Sequence, residues 1–310
     1  MAHSHTHSHG PARYDQAFAT GVTLNLSLVV VQIVYGVLAG SLALLTDALH
    51  NFQDVIGLGL AWGAAVLARR LPTAHYTYGL KRFSILAALA NGTLLLVTTG
   101  AIVWEAIRRL MNPEPVQGGV VMIVAAVGIA VNLVSALFFL RGREHDLNIR
   151  GAFLHLMSDA AVSLGVVLAG LGIAFTGWRW IDPVVSLVIA LVILFSTWGL
   201  LRDAFNLAMD AVPPGIDLGA VRNYLTSLPG VRSVHDLHVW ALSTTEPALT
   251  AHLIVEKTQG QDALLSQVRR DLHDRFGIEH ATLQLEQGDQ GYPCQGCDAE
   301  VQPAHGDSHA

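Results

Sequence analysis

Six apolar runs, each long enough to cross about 30 Å of hydrocarbon, constrain this chain more than any other feature. They fall at roughly residues 17–39, 42–67, 84–107, 119–140, 152–175 and 182–201. Backbone inside hydrocarbon must satisfy its own N–H and C=O groups, so each run has to be a helix and the six have to pack as a bundle. Only 14% of the 310 residues are Asp, Glu, Lys or Arg, against about 25% in a soluble domain. An even number of spans puts both chain ends on one side of the bilayer.

The charge that exists is unevenly placed. Residues 17–200 hold 10 Lys/Arg and 8 Asp/Glu, whereas residues 201–310 hold 7 and 15. A membrane part is therefore followed by an acidic, water-facing part, and no basic face invites nucleic acid. Seven Lys/Arg (Arg69, Arg70, Lys81, Arg82, Arg141, Arg143, Arg150) lie in the loops after spans two and four, against three (Arg108, Arg109, Arg179) in the other loops. By the positive-inside rule the seven-charge loops and both termini are cytoplasmic. The first ten residues, MAHSHTHSHG, lack the basic start and apolar stretch of a signal peptide, so the first span serves as its own targeting signal.

The expected organisation is a His-rich segment at 1–16, a six-helix transmembrane domain at 17–207, a cytoplasmic domain at 208–287 and a flexible tail at 288–310. Pro213-Pro214-Gly215 punctuates the chain after span six. Beyond it, periodicity predicts helix at 217–227, strands at 232–241 and 248–255, helix at 262–276 and strand at 280–286. This αββαβ order buries one sheet face under two helices. Strict alternation in the first strand puts Val234, His238 and Trp240 on one face and His235, Leu237 and Val239 on the other. The tail carries the only two cysteines, Cys294 and Cys297, whose spacing suits a metal better than a structural bridge.

Ionisable residues inside the spans carry the chemistry. Asp47, His50 and Asp54 recur at i, i+3 and i+7 on one face of span two, and His155 and Asp159 at i and i+4 on one face of span five. A charge at mid-bilayer costs on the order of 2.5–3.5 kcal/mol, so such groups face a cavity or a partner and mark an ion path. His50, Asp54, His155 and Asp159 converging would give four N/O ligands, which suits tetrahedral Zn²⁺, with Co²⁺ and Cd²⁺ as competitors, better than Ca²⁺ or Mg²⁺. Asp47 is surplus to four ligands and is better read as helix-to-helix hydrogen bonding, as are Asn25, Gln32, Asn91 and Asn132. Untilted helices of these lengths leave the two histidines offset by roughly 10 Å at about 1.5 Å per residue, so span five begins earlier, near Asp146, or a helix tilts. Both ligand types shed a proton before binding metal, so metal and H⁺ compete for one site. Neither HExxH nor GxSxG occurs, which argues against an intramembrane enzyme.

The stretches LLTDALHNFQD, YTYGLKRFSILAALANG, HLMSDAAVSLGVV, GVRSVHDLHVWAL and LTAHLIVE resemble the zinc-transporting branch of the cation diffusion facilitator family over about residues 17–287. The resemblance implies a homodimer of six-helix subunits with a ferredoxin-like cytoplasmic domain, exporting Zn²⁺, and in some members Cd²⁺ or Co²⁺, in exchange for H⁺ by alternating access. It places the transport site on His50, Asp54, His155 and Asp159. It also implies a regulatory metal site on His235, His252 and Glu286, with His238 packing beside Trp240 and Gln284 standing where some relatives add a further ligand. The Cys294-x-x-Cys297 pair resembles one that, in certain animal vesicular transporters, combines with histidines of the neighbouring subunit's N-terminus. Here those are His3, His5, His7 and His9. His75, alone in its loop, is expected to be solvent-exposed. The competing reading is a membrane metal sensor that binds without transporting.

Overall fold

The computed structural model describes residues 12–140, 147–256 and 261–287. Six long helices follow one another: α1 (Ala12–Ala39), α2 (Leu42–Ala68), α3 (Phe83–Met111), α4 (Gly118–Phe139), α5 (Leu147–Thr176) and α6 (Ile181–Ala208). All six are long and apolar enough to span a membrane. Two depart usefully from the expected bounds. α5 starts at Leu147, five residues before the apolar run, so His155 sits two helical turns into it. α6 continues seven residues past its run, because Arg202 and Asp203 belong to a helix that outlasts its apolar stretch.

The chain divides into two compact units, of which the first comprises residues up to 63 together with 87–201. Its corners are held by polar caps in a setting without water. Gly40 turns the chain between α1 and α2 at φ +68°, and a Cβ there would lie 2.8 Å from the Pro115 carbonyl, so the position needs glycine on both counts. Asp182, fully buried at the head of α6, caps α2 from across the bundle. Its carboxylate accepts from Ser41 Oγ at 2.5 Å and from the backbone N–H of Leu42 at 2.6 Å, which are orphan donors at a helix start. Arg109 closes the other side of the turn, donating from Nη1 to the Gly40 carbonyl at 2.6 Å.

α4 and α5 meet backbone to backbone. A Cβ on Gly118 would stand 2.5 Å from the Gly170 carbonyl, and one on Gly170 2.8 Å from the Gly118 carbonyl. Small residues at such crossings let helices approach closely enough for dispersion to hold them in lipid.

The second unit takes in residues 64–86 and everything from 202 onward. After α7 (Leu218–Thr226) come β1 (Val231–Ala241), β2 (Pro247–Val255), α8 (Gln261–Phe276) and β3 (His280–Gln287), within a residue of the expected bounds. The sheet runs β1-β2-β3, antiparallel then parallel. Val221 and Leu225 of α7 and Val268 and Leu272 of α8 pack on one sheet face against Leu237, Leu249 and Leu253, leaving the other face open. Asp217 caps α7, accepting from Gly219 N at 2.8 Å. Lys81 pairs with Glu246 and Arg82 with Asp210, while Ile85 packs on Leu207 and Ala241, so the segment joining α2 to α3 is part of this unit.

The close crossing generates a test. Gly170→Val should cost about 1–3 kcal/mol through overpacking and lower the thermal midpoint in detergent, whereas Gly165→Ala, with nothing within 4 Å of the added carbon, should not. Equal midpoints for the two would contradict the backbone contact.

Candidate metal sites

The four intramembrane residues come together. His50 Nε2 lies 3.9 Å from Asp54 Oδ2 and 3.7 Å from Asp159 Oδ1, and His155 Nε2 lies 3.5 Å from Asp54 Oδ2 and 3.6 Å from Asp159 Oδ2. Each imidazole thus faces both carboxylates, and the rings stand edge to face with centroids 6.5 Å apart. The 10 Å offset expected of untilted helices is absent, and α5 begins at Leu147, five residues before its apolar run.

These separations are too long for hydrogen bonds but close to the edge of a tetrahedron of N/O atoms around Zn²⁺, about 3.4 Å for metal-ligand distances of about 2.0–2.1 Å. Of the oxygens facing the imidazoles, Asp54 Oδ2 and Asp159 Oδ2 are buried without a hydrogen-bond partner among the described residues. Buried, unpaired acceptors of this kind suit a cation between them.

Among the described residues, a cavity of about 440 Å³ opens onto Asp54 and His155 from the end of the bundle where α1, α3 and α5 begin, lined also by Asn25, Gly57 and Asn91 among others. The His155 side chain is accordingly 46% exposed and Asp159 only 2%. Toward the α1–α2 turn the site is sealed. Asp47, one turn beyond His50, accepts from Gln32 Nε2 at 2.6 Å and from Ser163 Oγ at 3.0 Å, and Asn51 Nδ2 donates to Gln32 Oε1 at 3.3 Å. All four residues are fully buried. Gly128 of α4 leaves room for this knot, since a Cβ there would press on Gln32 and Ser163 at 3.3 Å. Asp47 and Gln32 therefore do join helices, whereas the amide oxygens of Asn25 and Asn91 and both amide atoms of Asn132 find no partner among the described residues.

On the open face of the sheet in the second unit, His235 and His252 are cross-strand partners with ring centroids 5.2 Å apart. Glu286 of β3 joins them, its Oε2 3.0 Å from His235 Nε2 and its Oε1 3.0 Å from His252 Nδ1. Gln284 donates to the same carboxylate at 3.0 Å, so it orients Glu286.

A further acidic residue borders this cluster. Asp236 lies 3.6 Å from His252 Nε2 and accepts or shares a proton with His238 Nε2 at 3.0 Å. Alternation predicted it to face away from His235, but β1 carries a register shift between His235 and His238, and Asp236 takes φ +49°. That bulge puts Val234 on the core face with Leu237 and Val239, not with His238 and Trp240. It also turns His238 outward onto Asp236 instead of against Trp240. The available signal was Asp itself, one of the few side chains that tolerates a left-handed backbone.

His75 is exposed in the α2–α3 loop, as expected. Cys294, Cys297 and the N-terminal His3, His5, His7 and His9 lie outside the described residues.

Comparison with known proteins returns a consistent set. Residues 19–207 match the cation efflux transmembrane domain and residues 213–288 the cation efflux protein cytoplasmic domain. The chain is 40% identical to the zinc transporter ZitB of Escherichia coli, over all of this chain and 99% of that one. It is 34% identical to the metal cation efflux system protein CzcD of Cupriavidus metallidurans, covering 96% and 93%. It is also 34% identical to a cadmium, cobalt and zinc/H(+)-K(+) antiporter of Bacillus velezensis, covering 92% of each.

The buried knot around Asp47 is testable by stability. Gln32→Leu removes one donor to Asp47 and the acceptor of Asn51, so it should cost about 1–3 kcal/mol by orphaning buried polar groups and lower the thermal midpoint in detergent. The exposed Gln267→Ala serves as a reference that leaves the midpoint in place. A Gln32→Leu protein as stable as the parent would show that the network does not hold these helices.

Proposed function

The chain belongs to the cation diffusion facilitator family, and from that premise we propose that it exports Zn²⁺ from the cytosol in exchange for H⁺, working by alternating access as a homodimer with both termini cytoplasmic. The observation that carries this reading is the tetrad: two His-Asp pairs from two different membrane helices, with His50, Asp54 and Asp159 converging within 4.8 Å and His155 3.5–3.6 Å from both carboxylates.

The chemistry follows from the donor set. Two imidazole nitrogens and two carboxylate oxygens suit Zn²⁺, and admit Cd²⁺ and Co²⁺, because these ions accept mixed N/O ligands at low coordination number. A neutral imidazole and an ionised carboxylate bind metal, while their protonated forms do not. Metal loaded from the cavity side therefore displaces protons, and protons arriving from the opposite side expel metal. Alternate exposure requires the cavity to close and the Asp47, Gln32 and Ser163 seal to part. The residues do no covalent chemistry, and the reading is of transport, not catalysis.

For the His235, His252 and Glu286 cluster, with Asp236 at its edge, the supported role is a resident cytoplasmic Zn²⁺ that regulates transport. Its donors are competent, three of them already converge within 4.8 Å, and the sheet face that holds them is open. A metal bound there would offset the mutual repulsion of two acidic domains brought together in a dimer.

In proteoliposomes with an imposed pH gradient, the parent protein should accumulate Zn²⁺ while the lumenal pH changes in step. Asp54→Ala or Asp159→Ala should reduce both fluxes to background with the thermal midpoint kept near that of the parent. Metal binding without flux in the parent would move the assignment to a sensor. In an Asp159→Ala background, His252→Ala should remove one bound Zn²⁺ per chain by equilibrium dialysis; an unchanged stoichiometry would dismiss the cytoplasmic site.

A further inference from the structure

The cavity that leads to the tetrad is lined by two asparagines. Asn25 on α1 and Asn91 on α3 present amide oxygens that are buried and unpartnered among the described residues, and both residues line the same cavity as Asp54 and His155. Polar side chains at membrane depth ordinarily bridge helices, as Gln32 does here. These two instead belong to residues in the wall of a cavity of about 440 Å³. A shell of about six waters needs roughly 180 Å³ at about 30 Å³ apiece, so a fully hydrated divalent ion fits.

The placement of Asn91 is enforced by its neighbour. A Cβ on Gly57, three residues from Asp54 on α2, would lie 2.9 Å from Asn91 Nδ2 and 3.0 Å from its Oδ1. The absence of a side chain at Gly57 is what lets the carboxamide rest against α2 on the approach to Asp54.

We propose that Asn25 and Asn91 form a hydration station on the approach to the tetrad, hydrogen-bonding the water shell of a divalent cation and passing the ion partly dehydrated to Asp54 and His155. The inference rests on the transport reading given above. Neutral carboxamides suit the task. They replace bulk water as partners of the shell, yet add no charge that would hold the ion short of the tetrad, and conduction needs sites that bind weakly enough to release. Asn25 and Asn91 are therefore positioning residues that set the rate of loading, not the affinity of the loaded site.

The test separates rate from affinity. Asn25→Leu/Asn91→Leu is made in a His252→Ala background, so that the cytoplasmic site does not report. Zn²⁺ is the probe: its equilibrium affinity is measured on detergent-solubilised protein, its loading rate by stopped-flow against a zinc indicator, and its uptake in proteoliposomes. The expected result is an affinity within about twofold of the parent, a loading rate at least tenfold slower and a KM at least tenfold higher. Asn91→Ser, which keeps a neutral hydrogen-bonding oxygen and adds no charge, should restore part of the rate. Unchanged loading and KM in the double variant would overturn the proposal, as would an affinity that falls in step with KM, since the residues would then be ligands or supports of the tetrad. If the double variant does not fold, Gly57→Ala displaces the Asn91 carboxamide and is held to the same outcomes. A parent protein that loads Zn²⁺ but moves none across the membrane would sink the transport reading alone, because the stopped-flow comparison would still decide on the station.

Discussion

An ionisable group inside hydrocarbon has to be surrounded by partners or by water, and the transmembrane unit is arranged around meeting that demand for five such groups on α2 and α5. His50, Asp54, His155 and Asp159 meet it for one another only in part, since their mutual distances of 3.5–3.9 Å fall short of hydrogen bonding. Asp47 meets it fully on one oxygen, through Gln32 and Ser163. The difference separates a site that calls for a cation from a carboxylate that holds helices together. Both sit on the same face of α2, three residues apart, so the distinction lies in what the neighbouring helices offer.

Bringing α2 and α5 face to face at the right depth falls to residues with no part in the chemistry. Asp182 fixes where α2 begins by binding its first N–H groups. Gly118 and Gly170 fix how closely α5 can lie against α4, and Gly128, farther along α4, leaves the space that the Asp47 knot fills. With no hydrophobic effect to drive helices together in lipid, such caps and close crossings set position. An error of one residue in the start of α2 would turn His50 and Asp54 about 100° around the helix, away from α5.

The spans and the tetrad were legible in the sequence because both depend on periodicity: long apolar runs give helices, and His-x-x-x-Asp gives one helical face wherever it occurs. The earlier start of α5 was legible only as a conflict, the offset between His50 and His155. The cytoplasmic domain's elements followed from alternating periods, but its metal cluster came from resemblance, and Asp236 was missed because a β-bulge breaks the alternation that sequence reading relies on. Bulge residues are set by what the strand must face, which is tertiary information. Gly118, Gly170 and the Ser163 bond to Asp47 were hidden for the same reason. Asn25, Gln32 and Asn91 look alike as single polar residues in apolar runs, and only the packed structure separates the bridging Gln32 from the two that face a cavity.

On the transport reading proposed above, the asymmetry of the tetrad sets the energetics of alternation. On one side Asn25 and Asn91 leave polar atoms unpaired, each costing about 1–3 kcal/mol unless water or an ion fills the cavity. On the other, the Asp47 seal consists of hydrogen bonds whose net worth is about 0.5–1.5 kcal/mol each, or about 1.5–3 where the carboxylate takes part. Three such bonds total only a few kcal/mol, the size of gap that differential binding of metal and protons to two states can span. A seal built from an apolar plug of several large side chains would be tighter and slower to part. On that reading, closing one side with a small polar knot, and lining the other with carboxamides, keeps the two states near enough in free energy for the cargo itself to choose between them.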